Sequence, residues 1–162
     1  MNGLTVRSIT KKDYEWIKKT LINYWSSIRV VAQNREYFAD SLPGFLAIYR
    51  DNKVGLLIYT IERNKLLIIS IISIIENIGI GSLLLKRATQ FALKENLNSL
   101  IVTTTNDNTD ALRFYQIKGF TIKKVNINIM KKYRRLKPQI PIKGKNDIEI
   151  KDEIILEKKI II

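Results

Sequence analysis

A chain of 162 residues, 46% of them apolar and 27% charged, has the size and composition of one globular domain, not a disordered or fibrous chain. It contains neither cysteine nor histidine, which excludes disulfides, thiolate nucleophiles, cysteine–zinc sites and any Ser-His-Asp hydrolase. Its net charge of +13 favours an anionic partner, yet the lysines are scattered among abundant Ile and Asn, so coding bias accounts for it equally well.

The opening residues lack the charged-then-apolar pattern of a leader. The most apolar run, 66–75, is too short to span a bilayer and holds Ser70 and Ser73, so the expected location is cytoplasmic. Residues 4–9 alternate as a first strand, and Thr10 followed by Asp13 resembles a capping box. Trp16, Ile17, Thr20, Leu21 and Tyr24 recur at helical spacing, and a second short helix is expected over 33–40, ended by Leu42-Pro43-Gly44. Residues 45–50 and 54–61 read as strands of a hairpin around Asp51-Asn52-Lys53. Arg63-Asn64 turns the chain into 66–75, a central strand apolar on both faces.

Gly79-Ile80-Gly81 then leads into a helix over 82–95, and 100–104 is a strand. Asn108 caps a short helix that Gly119 ends, and 120–129 returns as a strand. Beyond it lie a basic turn or short helix with Lys131, Lys132, Arg134, Arg135 and Lys137, and a last strand over 149–156. Strand, helix, strand, helix, strand implies a crossover with partly parallel pairing, so the fold class is mixed α/β in a single domain, 1–162.

Two segments carry chemistry. In the first, a buried strand ends, a loop with two glycines follows, and a helix begins. Free N–H groups and a partial positive charge at a helix start bind phosphate without a cationic side chain. A P-loop would need Gly-Lys-Ser/Thr after its spacer, and a dinucleotide fingerprint a small residue where Leu84 stands; both fit poorly. In the second, Asn108, Ala111, Phe114, Tyr115, Gly119 and Phe120 fall in the pattern N-x-x-A-x-x-F-Y-x-x-x-G-F. The paired segments closely resemble the GNAT superfamily of acetyl-CoA-dependent N-acetyltransferases, over 4–129. The tail, with Arg135-Leu136-Lys137-Pro138 and Ile148 to Ile154, is similar to one bacterial subgroup of it.

That resemblance implies a sheet of about seven strands with about four helices on its faces, 130–162 completing the sheet. It places the pyrophosphate of acetyl-CoA on the main chain of Glu76, Asn77, Ile78, Gly79, Ile80, Gly81 and Ser82. Glu76 departs from the family's usual Gln or Arg, so only its main chain counts as a contact. Ile71, Ile72 and Ser73 should splay from the neighbouring strand and meet the pantetheine arm, with Asn108 and Ala111 near the cofactor. Tyr115 is placed to protonate the leaving thiolate; the competing reading is a core aromatic whose hydroxyl is tied to the backbone. Asn108 is equally an ordinary N-cap, and Arg113 a solvated cation.

Many relatives use a glutamate on the central strand as base, but 66–75 holds no acid, which leaves water, with Asp152 or Glu153 as further candidates. Trp25, Arg29, Tyr37 and Glu153 are candidates for the acceptor side. The expected partners are acetyl-CoA and an amine on a small molecule or protein, with no metal and no membrane, in a monomer or homodimer. A basic nucleic-acid-binding module and a non-catalytic acyl-CoA sensor are the alternatives; Tyr133 is the only aromatic within the basic stretch and no nucleic-acid motif is present, which disfavours the former.

Overall fold

A computed structural model describes residues 3–160 of the chain. In chain order it contains β1 (Leu4–Ser8), α1 (Tyr14–Trp25), β2 (Arg29–Ala32), β3 (Arg35–Phe38), β4 (Gly44–Tyr49), β5 (Asn52–Glu62) and β6 (Lys65–Ser73). Then follow α2 (Ile80–Lys94), β7 (Ser99–Thr105), α3 (Thr109–Ile117), β8 (Thr121–Asn126), α4 (Met130–Leu136) and β9 (Glu153–Lys159). Three hairpins share one local device. Their central pairs, Gln33-Asn34, Arg50-Asp51 and Arg63-Asn64, all have positive φ, between 48° and 62°. Such primed turns match the strand twist, and Asn or Asp at the second position tolerates the left-handed conformation.

The first of these turns overturns an expectation. Residues 33–40 are not a helix: β2 and β3 pair antiparallel from Arg29↔Phe38 to Ala32↔Arg35, and only Ala39–Ser41 forms a 3-10 turn. The β-branched pair Val30-Val31 and the left-handed Gln33-Asn34 outweigh the helical spacing read further along. The last strand also moves, to Glu153–Lys159. Asn106 Oδ1 accepts from the N–H groups of Lys151 and Asp152, 3.0 Å each, and so holds that stretch in a loop.

Seven strands form one mixed sheet in the order β1-β4-β5-β6-β7-β9-β8, with only the β6–β7 pair parallel. One face carries α2 and α3 over Leu57, Leu66, Ile68, Leu100 and Val102. On the other, Ile17 and Leu21 of α1 pack on Leu46, Leu56, Ile58 and Ile72, with Val30 of β2 alongside. β2 lies across β6 on that second face. Asp13, 1% exposed, fastens the start of α1 by accepting from Thr10 N–H, and it pairs with Arg7 and Lys53. Those partners hold its carboxyl far below the usual range.

β9 inserts Glu157 between β7 and β8, buried, where Lys65 and Ser99 donate to its carboxylate at 2.9 and 2.7 Å. The Lys65 hydrogen bond, opposed by burial and helped by Ser99 and Lys123, holds its pKa down at about 2. A depressed carboxylate stabilises the fold above its unfolded pKa and loses that contribution as pH falls toward the folded one. Chemical denaturation should therefore show stability falling between about pH 5 and pH 2, with Glu157 contributing on the order of 3 kcal/mol beside the loss from Asp13, and Glu157→Gln should reduce that slope without abolishing it.

Candidate active site

The central strands part. β6 and β7 pair only from Lys65↔Ser99 to Ile68↔Val102, although β6 runs on to Ser73 and β7 to Thr105. The fork begins where the β5–β6 register shifts, Ile58 facing Ser70 and Tyr59 facing Ile68, which leaves Ile69 as the bulged residue. Beyond the bulge, Ile74 N–H donates to Val54 O at 2.9 Å. By strand alternation Ile72 and Ser70 also turn their main chain toward β5, and Ile71 and Ser73 turn theirs into the gap. Main-chain donors with no ladder partner are left at the mouth of a cleft.

The start of α2 lies at the same mouth. Leu83 N–H makes the first intrahelical bond, to Gly79 O at 3.0 Å, so the N–H groups of Ile80, Gly81 and Ser82 have no helical partner. Gly79 has φ +86°, and no atom lies within 4 Å of where a Cβ would stand, so this corner is open. A Cβ on Gly81 would meet Phe114 Cζ at 3.2 Å and Ser73 Oγ at 3.6 Å, which puts Gly81 between the end of β6 and α3. Glu76 and Asn77 are exposed, and Ile78, Gly79 and Ser82 line a surface depression with Leu4, Leu83 and Lys86.

From α3, Asn108 Oδ1 accepts from Ala111 N–H at 3.3 Å, an N-cap, and Arg113 is exposed. Ala111 and Phe114 pack on the α2 face of the sheet. Tyr115 is 5% exposed, edge-on to Phe114 and Phe120 with centroids 5.4 and 5.6 Å away. Among the described residues its hydroxyl has no hydrogen-bond partner. The only sealed, partnerless side-chain polar atom among them is Arg29 Nε, so the phenol oxygen keeps an opening. Burial pushes the phenol pKa well above its ordinary value, so the group is protonated at neutral pH.

The opposite face of the fork is roofed by the β2–β3 hairpin. Trp25, 42% exposed, donates from Nε1 to Ser70 Oγ at 3.0 Å, beside the bulge. At the hairpin turn, Gln33 Nε2 donates to Thr103 Oγ1 of β7 at 3.2 Å and Gln33 N–H to Glu153 Oε2 at 2.9 Å. Arg29 lies between these anchor points, its Nη2 donating to Glu36. Tyr37 is buried against Glu62, away from Arg29 in the hairpin ladder. Glu153, 1% exposed, also accepts from Asn126 Nδ2 at 2.8 Å and Tyr133 Oη at 3.0 Å, so three donors occupy its carboxylate.

Trp25 and the hairpin that carries Arg29 thus lie on one face of the sheet at the fork, while Tyr115, Asn108 and the glycine loop lie on the other. Glu153 and Tyr37 act as fasteners of the hairpin. Ser70, Gln33 and Thr103 at the fork were missed by sequence reasoning, and no local signal pointed to them.

The profile of the acetyltransferase (GNAT) family matches residues 10–120, more than half of the chain, and the protein belongs to that family. It is 38% identical over 138 residues to YxbD of Bacillus subtilis (strain 168), a protein described as uncharacterised, across 85% of this chain and 87% of that one. Its fold is similar to that of an IAA acetyltransferase from Bacillus cereus ATCC 14579, with TM-score 0.78 and 20% identity over 98% of this chain and 100% of that one. It is also similar to a GNAT acetyltransferase from Elizabethkingia anophelis with acetyl-CoA bound, with TM-score 0.72 and 22% identity over 99% and 100%. No helix among the described residues is long and apolar enough to cross a membrane.

Proposed function

We propose that the whole chain acts as one catalytic domain that transfers acetyl from acetyl-CoA to a primary amine by direct attack. The fork between β6 and β7, with α2 and α3 on one face of the sheet and the β2–β3 hairpin across the other, carries this reading. The diphosphate rests on the free N–H groups at the start of α2, and the pantetheine arm enters the fork along Ile71 to Ser73, between α2 and α3. The amine enters from the hairpin side. Its nitrogen attacks the thioester carbonyl while main-chain donors near Ile71 hold the oxyanion, a contribution of roughly 3–4 kcal/mol where such donors have been removed elsewhere.

The carbon–sulfur bond then breaks, the Tyr115 hydroxyl gives its proton to the thiolate, and water takes the proton from the amine. Lys65–Ser73 contains no acid that could do so. The test is thermal. Acetyl-CoA at a hundred times its Kd should stabilise the protein by about 2.7 kcal/mol, and an amine panel should release free thiol from it. A melting temperature unmoved by millimolar acetyl-CoA overturns the reading. Stabilisation without thiol release from any amine favours the acyl-CoA sensor instead.

A further inference from the structure

Lys137 is 9% exposed, at the end of α4, whose main chain it closes by donating to Tyr133 O at 2.8 Å. Its ammonium takes part in none of the ion pairs or side-chain hydrogen bonds among the described residues. Only the Nε of Arg29 is both sealed and partnerless among the described residues, so the Lys137 ammonium, set in a largely buried side chain, keeps an opening through which an anion reaches it. The helix carrying it packs on the β2–β3 hairpin: Val31 lies against Met130, Tyr133 and Ile150, and Asn34 N–H donates to Tyr133 Oη at 2.9 Å. Arg29 stands two residues before Val31, on the same face of β2, and Lys137 follows Tyr133 by one helical turn, so both cations lie along this hairpin–helix seam. Burial and then the guanidinium depress the ammonium's pKa. Arg29 has one carboxylate partner, Glu36, a fully buried Nε without an acceptor, and a side chain 39% exposed.

We propose that Arg29 and Lys137 form a carboxylate-binding subsite at the acceptor mouth of the fork, so that the acceptor is an amine bearing a carboxylate. The inference rests on the transferase reading above and adds the substrate class. Two cations and Glu36 leave one uncompensated positive charge, which suits a carboxylate better than a dianionic phosphate. β2 lies across β6 between the Trp25–Ser70 and Gln33–Thr103 contacts, so a carboxylate held there leaves its amine over the fork.

The test uses the full chain loaded with CoA. The ¹H–¹⁵N signal of Arg29 Nε is followed during titration with N-acetyl amino acids, their C-terminal amides and inorganic phosphate. The expected result is a shift with the acids, none with the amides, and a weaker one with phosphate. Lys137→Met should abolish that shift and keep the melting response to acetyl-CoA. In turnover it should raise KM for amino acids at least tenfold relative to their amides, with Lys137→Arg recovering most of the difference. Arg29→Gln, at its half-exposed position, carries the same comparison.

Equal behaviour of acids and amides, a ratio unchanged in both variants, or tighter binding of phosphate than of carboxylate overturns the subsite. Loss of the acetyl-CoA melting response in the parent protein would instead strike the transferase reading beneath it.

Discussion

Tyr115→Phe is expected to lower kcat by about 10²–10⁴ while leaving the acetyl-CoA melting shift intact. The variant discriminates because the hydroxyl has no partner among the described residues. Had it been tied to a backbone carbonyl, its removal would leave a buried acceptor unsatisfied at a cost of about 1–3 kcal/mol. Here the ring stays edge-on between Phe114 and Phe120, and the melting temperature should barely move. A catalytic loss without a stability loss can then only come from the proton. Because burial raises the phenol's pKa, the alkaline limb of the pH–rate profile should lie above the ordinary tyrosine value of about 10. Unchanged turnover in the variant would remove Tyr115 from the mechanism.

What was legible in the sequence follows from how local each feature is. The capping box at Thr10 and Asp13, the Asn108 cap and the Gly119 stop are decided within a few residues, and each appears where the sequence puts it. The apolar run in β6 is buried along most of its length, as its lack of alternation implied. The hairpin of β2 and β3 was not legible because its short strands alternate little and its turn lacks glycine; two left-handed residues, Gln33 and Asn34, decide it. The fork is a long-range property, since nothing in Ile69 itself announces a bulge. In the basic stretch after Met130, Lys131, Arg134 and Arg135 line one surface depression together with Lys151 and Glu149. Lys131, Lys132 and Arg135 are exposed, Arg134 donates to the carbonyls of Ile140, Pro141 and Ile150, and Lys137 is buried.

Glu153→Ala should cost about 3–5 kcal/mol, the largest stability effect expected of any side chain around the fork. It strands three donors at once in a buried place: the Gln33 N–H, the Asn126 amide and the Tyr133 hydroxyl. For a chain of this size that corresponds to a melting temperature lower by roughly 8–15 °C. Glu153→Gln separates this fastening role from that of a general base. The amide keeps the oxygen that accepts from Tyr133 and Asn126 and loses only the acceptor facing Gln33, so its stability should fall between parent and alanine variant. As the base, the glutamine form would be inactive however well it folded. As a fastener, it should keep turnover within about tenfold of the parent. The loss should then appear chiefly in KM for the amine, because the hairpin carrying Arg29 is what loosens. Measuring kcat and KM beside the melting temperature of both variants therefore decides whether the amine's proton leaves through this carboxylate or through water.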